Sequence, residues 1–406
     1  MNDMTHSLEH GRLSEEDTSV NAAEPVGVWR TYQSYEDYLH CNNQPVSEPG
    51  RVATGYRGKR SGISACLIVR NEARNLGRCL ESIRNLVDEI VVVDTGSTDG
   101  TRDIARSFGA RVIQSRWNND FAEPRNLAHA HARQEWILSI DADEIARPFS
   151  RDSLNQLLSD AGVCGYYVPF RRRARLTRNW QLKIYRRLPV PRHRSIIHEG
   201  ITPGQLRAAS GRRIGRCTLN LDHSGYDGEL SSKHERNLPL LNKALETDPD
   251  NIDKVFLWGH LGDVHAVRGD PRSAEIAWRR GVSILRHRTN HHPAHCSVHF
   301  SLLTHMVSTG RDVEPLLEET ERFFPGNLQT MWIRGHSLLG RGRFREASAQ
   351  FERLVDFDSS GCLDKWVAYD RRLFGELPRR MISFCGRHPG AGDARSGPSK
   401  DLESAC

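Results

Sequence analysis

Hydrophobic residues between positions 61 and 145 fall into short runs that alternate with stretches of helical spacing. Apolar runs predict buried strands at Ile63–Val69, Glu89–Val93, Arg111–Gln114 and Trp136–Ile140. Between these runs, helical spacing and capping residues predict helices over Ala73–Asn85, Gly100–Phe108 and Ala122–Arg133. Strands that alternate with helices of about a dozen residues indicate a parallel sheet with right-handed crossovers.

The pattern changes after residue 145. A helix is predicted over Arg151–Asp160, and strands are predicted at Gly162–Arg171, Leu182–Arg186 and Arg216–Asp222. Few helices separate these later strands. The second half of the domain is therefore predicted to be a mixed sheet rather than a purely parallel one.

From about Glu229 onward the chain has helical character. Two segments resemble each other, because each contains a Gly-His pair, at Gly259-His260 and at Gly335-His336. Turn glycines are expected at positions 269, 310 and 342, at spacings close to the roughly 34 residues of stacked helix pairs of the tetratricopeptide kind. The sequence therefore predicts an all-α helical-repeat domain.

The two ends of the chain lack such periodicity. Residues 1–60 are polar at the start and rich in Gly, Pro and Arg toward the end, and they predict a flexible arm. Residues 386–406 predict a loose tail. The predicted organisation is an arm (1–60), an α/β domain (61–228), helical repeats (229–385) and a disordered tail (386–406).

Composition and charge narrow the function classes. The chain has 406 residues, 37% of them hydrophobic, and a net charge of only +6. Ten Lys/Arg and no Asp/Glu lie between residues 171 and 194. Such a basic wall suits a phosphate-bearing ligand, although a solvated arginine-rich surface explains it equally well. No nucleic-acid partner is expected.

Cysteine usage and the absence of long apolar runs indicate a location. The nine cysteines are odd in number, and no C-x-x-C pair occurs, which argues against a disulfide framework or a zinc ribbon. The first residues are polar, and no apolar run of about 18 residues exists. We expect a cytoplasmic protein without a transmembrane segment, with peripheral attachment to a membrane left open.

A histidine-rich segment offers a second candidate metal site. It contains His291, His292, His295, Cys296 and His299. Structural zinc needs a closed set of ligands, and the helix expected from Pro293 leaves the earlier histidines outside it. Packing between repeats is the favoured interpretation of these side chains.

Polar residues follow the predicted strands of the α/β domain. Strand ends carry R-N-E at 70–72, D-T-G-S at 94–97 and D-A-D at 141–143, and a helix opens with P-R-N at 124–126. The carboxyl ends of parallel strands meet at one edge of a sheet, where such folds bind ligands. Side chains alternate along an extended chain, so Asp141 and Asp143 are expected on one side, as hard ligands for Mg²⁺ or Mn²⁺. D-x-D alone is also compatible with a polar turn.

Taken in order, these motifs resemble the inverting glycosyltransferases of family 2. The matching segments are C-L-I-V-R-N-E (66–72), V-V-V-D-T-G-S-T-D-G-T (91–101), P-R-N (124–126) and D-A-D-E (141–144). The resemblance is weaker through I-I-H-E-G (196–200) and D-H-S-G-Y (222–226). It implies the α/β GT-A fold, a Rossmann-like mixed sheet that binds nucleotide-diphospho-sugars. The helical continuation is similar to family members fused to tetratricopeptide-like repeats.

The resemblance also implies roles on the nucleotide side of the site. Asn71 and Glu72 would line the nucleotide pocket, Asp94 would face the base, and Arg125 would contact the nucleotide. An ordinary surface position is the other interpretation of Arg125. Many members have a second aspartate where Thr95 stands here. Asp94 is then left alone to contact the base, so the motif specifies the nucleotide less strongly.

Further roles concern the metal and the general base. The resemblance implies that Asp143 ligates the metal and that Asp141 lies near the ribose or sugar as a further metal residue. His198 would complete the metal or diphosphate site. Glu199 is the candidate general base, with His198 as the alternative.

The expected reaction is transfer of a sugar, as in a hexosyltransferase, from a nucleotide diphosphate sugar to an acceptor hydroxyl or thiol. The implied cofactor is Mg²⁺ or Mn²⁺, and a UDP-sugar is the leading donor. The acceptor is left open among peptide, glycan and small molecule, and the repeats could form a homodimer. A nucleotidyltransferase would want a glycine-rich loop where R-N-E-A-R stands at 70–74. A peptide-binding scaffold without enzymatic activity is the alternative from another class.

Overall fold

The computed structural model describes residues 61–172, 176–189, 192–223, 230–289, 291–360 and 366–388. The predicted arm of residues 1–60 and most of the predicted tail lie outside the described residues.

A sheet of nine strands forms the first part of the described chain. The strands are β1 (Ile63–Val69), β2 (Glu89–Asp94), β3 (Arg111–Gln114), β4 (Trp136–Ser139), β5 (Glu144–Ala146), β6 (Val163–Arg171), β7 (Asn179–Arg186), β8 (Arg213–Arg216) and β9 (Leu221–His223). Their order is β3-β2-β1-β4-β7-β6-β9-β5, and β8 pairs with β6. Strands β1 to β4 are parallel, whereas β7 is antiparallel to both β4 and β6. The predicted mixed α/β sheet is confirmed, with β4 near its centre.

Helices cover the two faces of this sheet. They are α1 (Leu76–Ile83), α2 (Thr101–Ser107), α3 (Ala122–His131), α4 (Arg151–Leu158) and α5 (Pro203–Ser210). Leu76 and Leu80 of α1 pack into the core on one face, together with the inward residues of β1 and β4. Ala128 of α3 packs into the core on the other face. Each predicted helix is present but is shorter than expected.

The predicted strand Arg216–Asp222 is wrong, because the chain there forms two strands. Strand β8 ends where Arg216 pairs with Tyr167 of β6, and β9 begins where Leu221 pairs with Phe170. Between these pairs β6 advances by three residues and the other chain by five. Regular pairing cannot absorb that excess, so the intervening residues leave the strand conformation.

The rest of the described chain is predominantly helical. Its helices are α6 (Leu230–Glu246), α7 (Val255–Val267), α8 (Pro271–Arg286), α9 (Cys296–Ser308), α10 (Glu314–Phe323), α11 (Leu328–Gly340), α12 (Phe344–Ser360) and α13 (Glu376–Arg387). The turns inside the pairs α7–α8, α9–α10 and α11–α12 contain the expected glycines at 269, 310 and 342. Each has a positive φ, of 75°, 66° and 72° respectively, which glycine adopts without steric cost.

The internal repeat has a different register from the one expected. A Cβ atom at Gly262 would lie 2.2 Å from Trp278, and one at Gly335 would lie 2.5 Å from Phe351. Both close approaches join residues 16 positions apart, so Gly262, and not Gly259, is the counterpart of Gly335. The predicted match of the two Gly-His pairs is therefore wrong.

A segment near the C-terminal end returns to the sheet. Trp366 packs edge-on against Tyr167 of β6, with ring centroids 5.1 Å apart. Beside it, the Thr177 N–H donates to the Tyr369 carbonyl at 2.8 Å. This segment lies within the range predicted for the repeats, yet it covers the α/β part.

In the ranges given above, no helix combines the length and the apolar character needed to cross a membrane.

Candidate functional site

The ends of β1 and β2 are tied together at one edge of the sheet. Asn71, at φ 56°, accepts a hydrogen bond through Oδ1 from the Thr98 N–H at 2.8 Å. The Asn71 N–H donates to the Ser97 hydroxyl at 2.9 Å, and the Glu72 N–H donates to the Thr101 hydroxyl at 2.8 Å. Asn71 and Glu72 therefore lie where two strand ends form a shared rim.

Asp94 lies just beneath this rim and is only 1% exposed. Its Oδ1 accepts hydrogen bonds from the Gly96 and Ser97 N–H groups at 3.2 and 3.0 Å. Its Oδ2 is buried and has no hydrogen-bond partner among the described residues. The neighbouring Thr95 does not supply a second acceptor at this point, since its hydroxyl donates to the Val69 carbonyl. Asp94 therefore holds the turn and retains one acceptor atom that a ligand donor could satisfy.

Arg125 connects the end of β4 with the loop that carries the His-Glu pair. Its side chain is 14% exposed and donates to Asp141 Oδ1 at 2.7 Å and to Glu199 Oε1. The Glu199 side chain is 8% exposed. A guanidinium buried between two carboxylates excludes the interpretation of Arg125 as an ordinary surface residue. The two carboxylates come from segments far apart in sequence, so Arg125 sets their spacing.

These two carboxylates have different acidities. Burial disfavours the ionised form of Asp141, but the neighbouring Arg125 and Lys183 outweigh it and hold its pKa well below the usual range. For Glu199, burial is the stronger effect and raises its pKa, although Arg125 opposes the rise. The pKa of Asp141 is thus lowered and that of Glu199 is raised, and neighbouring carboxyl groups whose pKa values are pushed apart are typical of acid–base sites.

The D-A-D motif lies in a tight turn. The Glu144 N–H donates to the Asp141 carbonyl at 3.0 Å, and the Asp141 N–H donates to Glu144 Oε2 at 3.2 Å. The expectation that an extended chain places Asp141 and Asp143 on one side is therefore wrong in its premise, because the chain turns between them. Asp143 instead lies against His223, with 3.1 Å between its Oδ2 and the imidazole Nε2.

Lys183 of β7 stabilises this turn through its ion pair with Glu144. The pairing of β6 and β7 shifts by one residue opposite Lys183, which makes Lys183 the extra residue of a bulge. Its ammonium lies 2.7 and 3.0 Å from the two carboxylate oxygens of Glu144. Sequence reasoning missed this role, because the bulge exists only in the pairing with β6.

The histidine that lies beside Asp143 in the structure is not the one expected from the sequence. His198 has a φ of 55°, and its ring stacks on His260 of α7 at 4.2 Å and contacts Phe256 at 4.8 Å. The imidazole beside Asp143 is that of His223. The sequence contained His223 only within the weakly matching D-H-S-G-Y segment, and that segment was the available signal.

A buried polar cluster lies beneath Arg125. The Tyr185 hydroxyl lies 2.8 Å from His129 Nε2 and 3.3 Å from His193 Nε2. Burial, together with the cationic Arg125, lowers the pKa of His129 to about 3, so this imidazole is neutral. Asn126 binds the backbone of His193 through both its amide nitrogen and its amide oxygen, at 3.0 and 2.8 Å. The motif P-R-N thus contributes two anchors, and sequence reasoning identified only Arg125.

The candidate metal ligands fall into two regions, the histidine-rich segment and the strand edge. The described ranges contain no group of three or more His, Cys, Asp or Glu arranged to hold a metal ion. In the histidine-rich segment, His291 stacks on Phe323 at 4.1 Å and His299 lies 3.3 Å from Glu319, which fits packing between helices. At the strand edge, Asp143 and His223 offer an oxygen and a nitrogen. The carboxylate of Asp143 suits Mg²⁺ or Mn²⁺, and the imidazole of His223 suits Mn²⁺ better than the harder Mg²⁺, with the other ligands taken from phosphate and water.

Comparison with known proteins finds similarity within the α/β part. Residues 64–209 match the family model of glycosyl transferase family 2. A TPR repeat-containing protein of Synechococcus elongatus is 32% identical over 232 residues, which are 54% of this chain and 56% of that protein. The SPbeta prophage-derived glycosyltransferase SunS of Bacillus subtilis is 26% identical over 242 residues, covering 52% of this chain and 53% of its own length. The chain thus spans just over half the length of these relatives.

Two solved structures show a distant similarity to this chain. The glucosyl-3-phosphoglycerate synthase of Mycobacterium tuberculosis, in complex with Mn²⁺, UDP and glucosyl-3-phosphoglycerate, is 20% identical with a TM-score of 0.33 and covers 50% of this chain and 85% of that one. Residues 1–349 of S. aureus TarS, in complex with UDP-GlcNAc, are 13% identical with a TM-score of 0.34 and cover 68% of this chain and 88% of that one.

Proposed function

We propose that this chain is a glycosyltransferase that moves a sugar, a hexose in the simplest case, from a nucleotide diphosphate sugar to an acceptor hydroxyl or thiol with inversion. The observation that carries the proposal is the position of Arg125 between Asp141 and Glu199 at the carboxyl end of β4. This edge is where open α/β sheets bind ligands. It lies within the residues that match glycosyl transferase family 2.

The donor would bind along the rim formed by the ends of β1 and β2. Asn71 and Glu72 line this rim, and the unused Oδ2 of Asp94 would accept a hydrogen bond from the base. Because that oxygen is buried, the residues around it would have to rearrange when the base binds. The guanidinium of Arg125 would contact the nucleotide, and Asp141 would contact the ribose or the sugar. A UDP-sugar is the first donor to test.

A divalent cation would be held by Asp143 and His223. When bound, Mg²⁺ or Mn²⁺ would neutralise the negative charge that develops on the leaving diphosphate. The cationic Arg125 and Lys183 lie close enough to Asp141 to lower its pKa, so they raise the positive potential at the same edge. His198 remains a candidate ligand from sequence, and its stacking on His260 favours His223 in that role.

Glu199 would act as the general base. A base works best when its pKa lies near the working pH, and burial raises the pKa of Glu199 in that direction. Its carboxylate would take the proton of the acceptor hydroxyl while the acceptor oxygen bonds to the anomeric carbon. The bond from that carbon to the diphosphate oxygen breaks on the opposite side. His198 is the second candidate for the base.

The helical part would contribute to acceptor binding. The loop before Glu199 packs on α6 and α7, because Ile197 is buried with Leu241 and Leu257. An acceptor bound along the helices would therefore lie close to the proposed base. A peptide, a glycan and a small molecule are all compatible with this arrangement.

Calorimetric titration of the full chain with UDP, GDP and dTDP, with and without Mn²⁺, tests the proposal. We expect metal-dependent binding of one nucleotide, reduced in Asp143→Ala and unchanged in Asp103→Ala, a matched variant on the exposed face of α2. A peptide-binding scaffold would show no such binding. Mass spectrometry of acceptor mixtures after incubation with sugar nucleotides then identifies transfer, whereas undiminished turnover by Asp143→Ala would exclude the metal role.

A further inference from the structure

The basic stretch of residues 171–194 contains cations that the fold itself uses. Lys183 of β7 is paired with Glu144, and Arg186 is paired with Glu135. Arg186 also lies over the Trp136 ring, 4.4 Å from its centroid. These side chains fix strands to one another. Fewer cations of this stretch are therefore available to a ligand than its composition implies.

A second set of cations converges on one carboxylate. Arg171 Nη2 lies 2.9 Å from Asp222 Oδ2, and Arg178 Nη2 lies 2.6 Å from Asp222 Oδ1. Arg147 contacts the same carboxylate. The sheet creates this arrangement, because Asp222 is the register partner of Arg171 on β6 and of Ile145 on β5. We call Arg147, Arg171 and Arg178 the arginine cluster.

The arginine cluster carries more positive charge than Asp222 balances. Three guanidinium groups against one carboxylate leave a formal charge of +2. Burial lowers the pKa of Arg178, and the like charges of Arg171 and Arg147 lower it further against the pull of Asp222. Side-chain exposures of 55% for Arg147, 21% for Arg171 and 27% for Arg178 leave the cluster accessible from solvent. Such crowding favours the binding of an anion.

The arginine cluster and the proposed metal pair are carried by the same two strands, β5 and β9, and the residues next to them. His223 follows Asp222 directly and contacts Asp143. Asp143 precedes β5, two residues before Ile145, the register partner of Asp222. Asp143 and Asp222 are thus linked through one register pair of β5 and β9, and the arginine cluster lies around Asp222 of that pair. Asp222 and His223 project to opposite faces of β9, which separates the cluster from the metal pair.

We propose that the arginine cluster binds a phosphate monoester group on the acceptor. The planar guanidinium fork matches two phosphate oxygens at once, and a dianionic phosphate balances the excess charge of +2. The acceptor's phosphate would be held on β6 and β9 while its hydroxyl reaches the strand edge. This reading rests on the transferase function proposed above. The binding of phosphate itself does not require that function.

Calorimetric titration of the full chain with inorganic phosphate and with glycerol 3-phosphate tests this site, with glycerol as the neutral control. Titrations with saturating UDP and Mg²⁺ separate the arginine cluster from the donor's diphosphate site. We expect saturable binding in both conditions, weakened at least tenfold in the Arg171→Gln/Arg178→Gln variant. Binding should be unchanged in Arg84→Gln, which removes an exposed arginine that is paired with Glu81 of α1. Arg147→Gln, at the most exposed position, provides a milder variant should the double variant fold poorly.

Asp222→Asn separates a binding site from a structural ion-pair network. Asp222 competes with the bound anion, so its neutralisation should tighten phosphate binding severalfold while lowering thermal stability. A structural network predicts the loss of stability without tighter binding. The proposal is overturned if the wild-type chain binds no phosphate, or if saturating UDP abolishes the binding. Failure of UDP to bind would refute the transferase function and leave the phosphate titration interpretable.

Discussion

The imidazole of His198 lies parallel to that of His260, with ring centroids 4.2 Å apart and planes inclined by 12°. His198 belongs to the loop of the α/β part that carries Glu199, whereas His260 belongs to α7. The preceding Ile197 is 2% exposed and packs among residues of α6 and α7. The loop is therefore fixed on one side by Arg125 and on the other by the helices.

This double attachment predicts that His260 acts as a positioning residue for Glu199. In His260→Ala, the loop loses its stacking partner, and a small displacement of the base should lower kcat by about 10- to 100-fold. The KM for the donor should change little, because the rim at Asn71 is not involved. His265→Ala, on the same helix and paired with Asp270 near the surface, is the matched control. Equal loss of kcat in both variants would contradict the role of His260.

The acid limb of the pH profile should report Glu199. A base must be deprotonated to act, so kcat/KM should fall as the pH drops below the raised pKa of this carboxyl. In Arg125→Gln, the cation that opposes the rise is removed, so the limb should move to higher pH. Arg125→Lys retains the positive charge, and its limb should stay closer to that of the wild type even if the rate falls. A limb that moves to lower pH in Arg125→Gln would exclude Glu199 as the base.

The parts of the fold that the sequence predicts well are those determined by local burial. Strand β1 begins and ends at the predicted residues, and β2 is one residue longer than expected. In both, the apolar run ends where the chain reaches the polar edge of the sheet. The turn glycines at 269, 310 and 342 were also predictable, because their role depends on local backbone conformation.

The parts that the sequence did not predict depend on partners distant along the chain. The division of Arg213–His223 into two strands follows from its pairing with β6. The contact between Asp143 and His223 joins residues 80 positions apart. No spacing rule connects such residues, so the site could be predicted as a set of strand ends but not as a set of contacts.

Lys183→Met should destabilise the protein by leaving the Glu144 carboxylate buried without its cation. The Glu144 side chain is 2% exposed, and removing one partner of a buried pair costs about 3–5 kcal/mol. Burial already raises the pKa of Glu144 despite Lys183. Without the lysine this pKa should rise further, so the stability of the variant should be lost as the pH rises through it. Thermal unfolding at pH 5 and pH 8 measures the difference.

The double variant Lys183→Met/Glu144→Gln is the control for this prediction. Both charges are then absent, so most of the stability and its ordinary pH dependence should return. If the double variant is as unstable as Lys183→Met at pH 8, the loss comes from packing around the bulge of β7 and not from the unpaired carboxylate.

The requirement for a divalent cation should depend on His223 more than on His198. If Asp143 and His223 hold the ion, His223→Ala should raise the Mn²⁺ concentration needed for half-maximal activity by at least about 10- to 100-fold, the loss that follows when only an outer-shell partner of a metal ligand is removed. In His198→Ala, kcat should fall because the loop is displaced, while the Mn²⁺ requirement stays near that of the wild type. Chelation with EDTA should abolish transfer by all three proteins, and added Mn²⁺ should restore it. A larger shift in His198→Ala than in His223→Ala would return His198 to the metal site, as the sequence alone suggested.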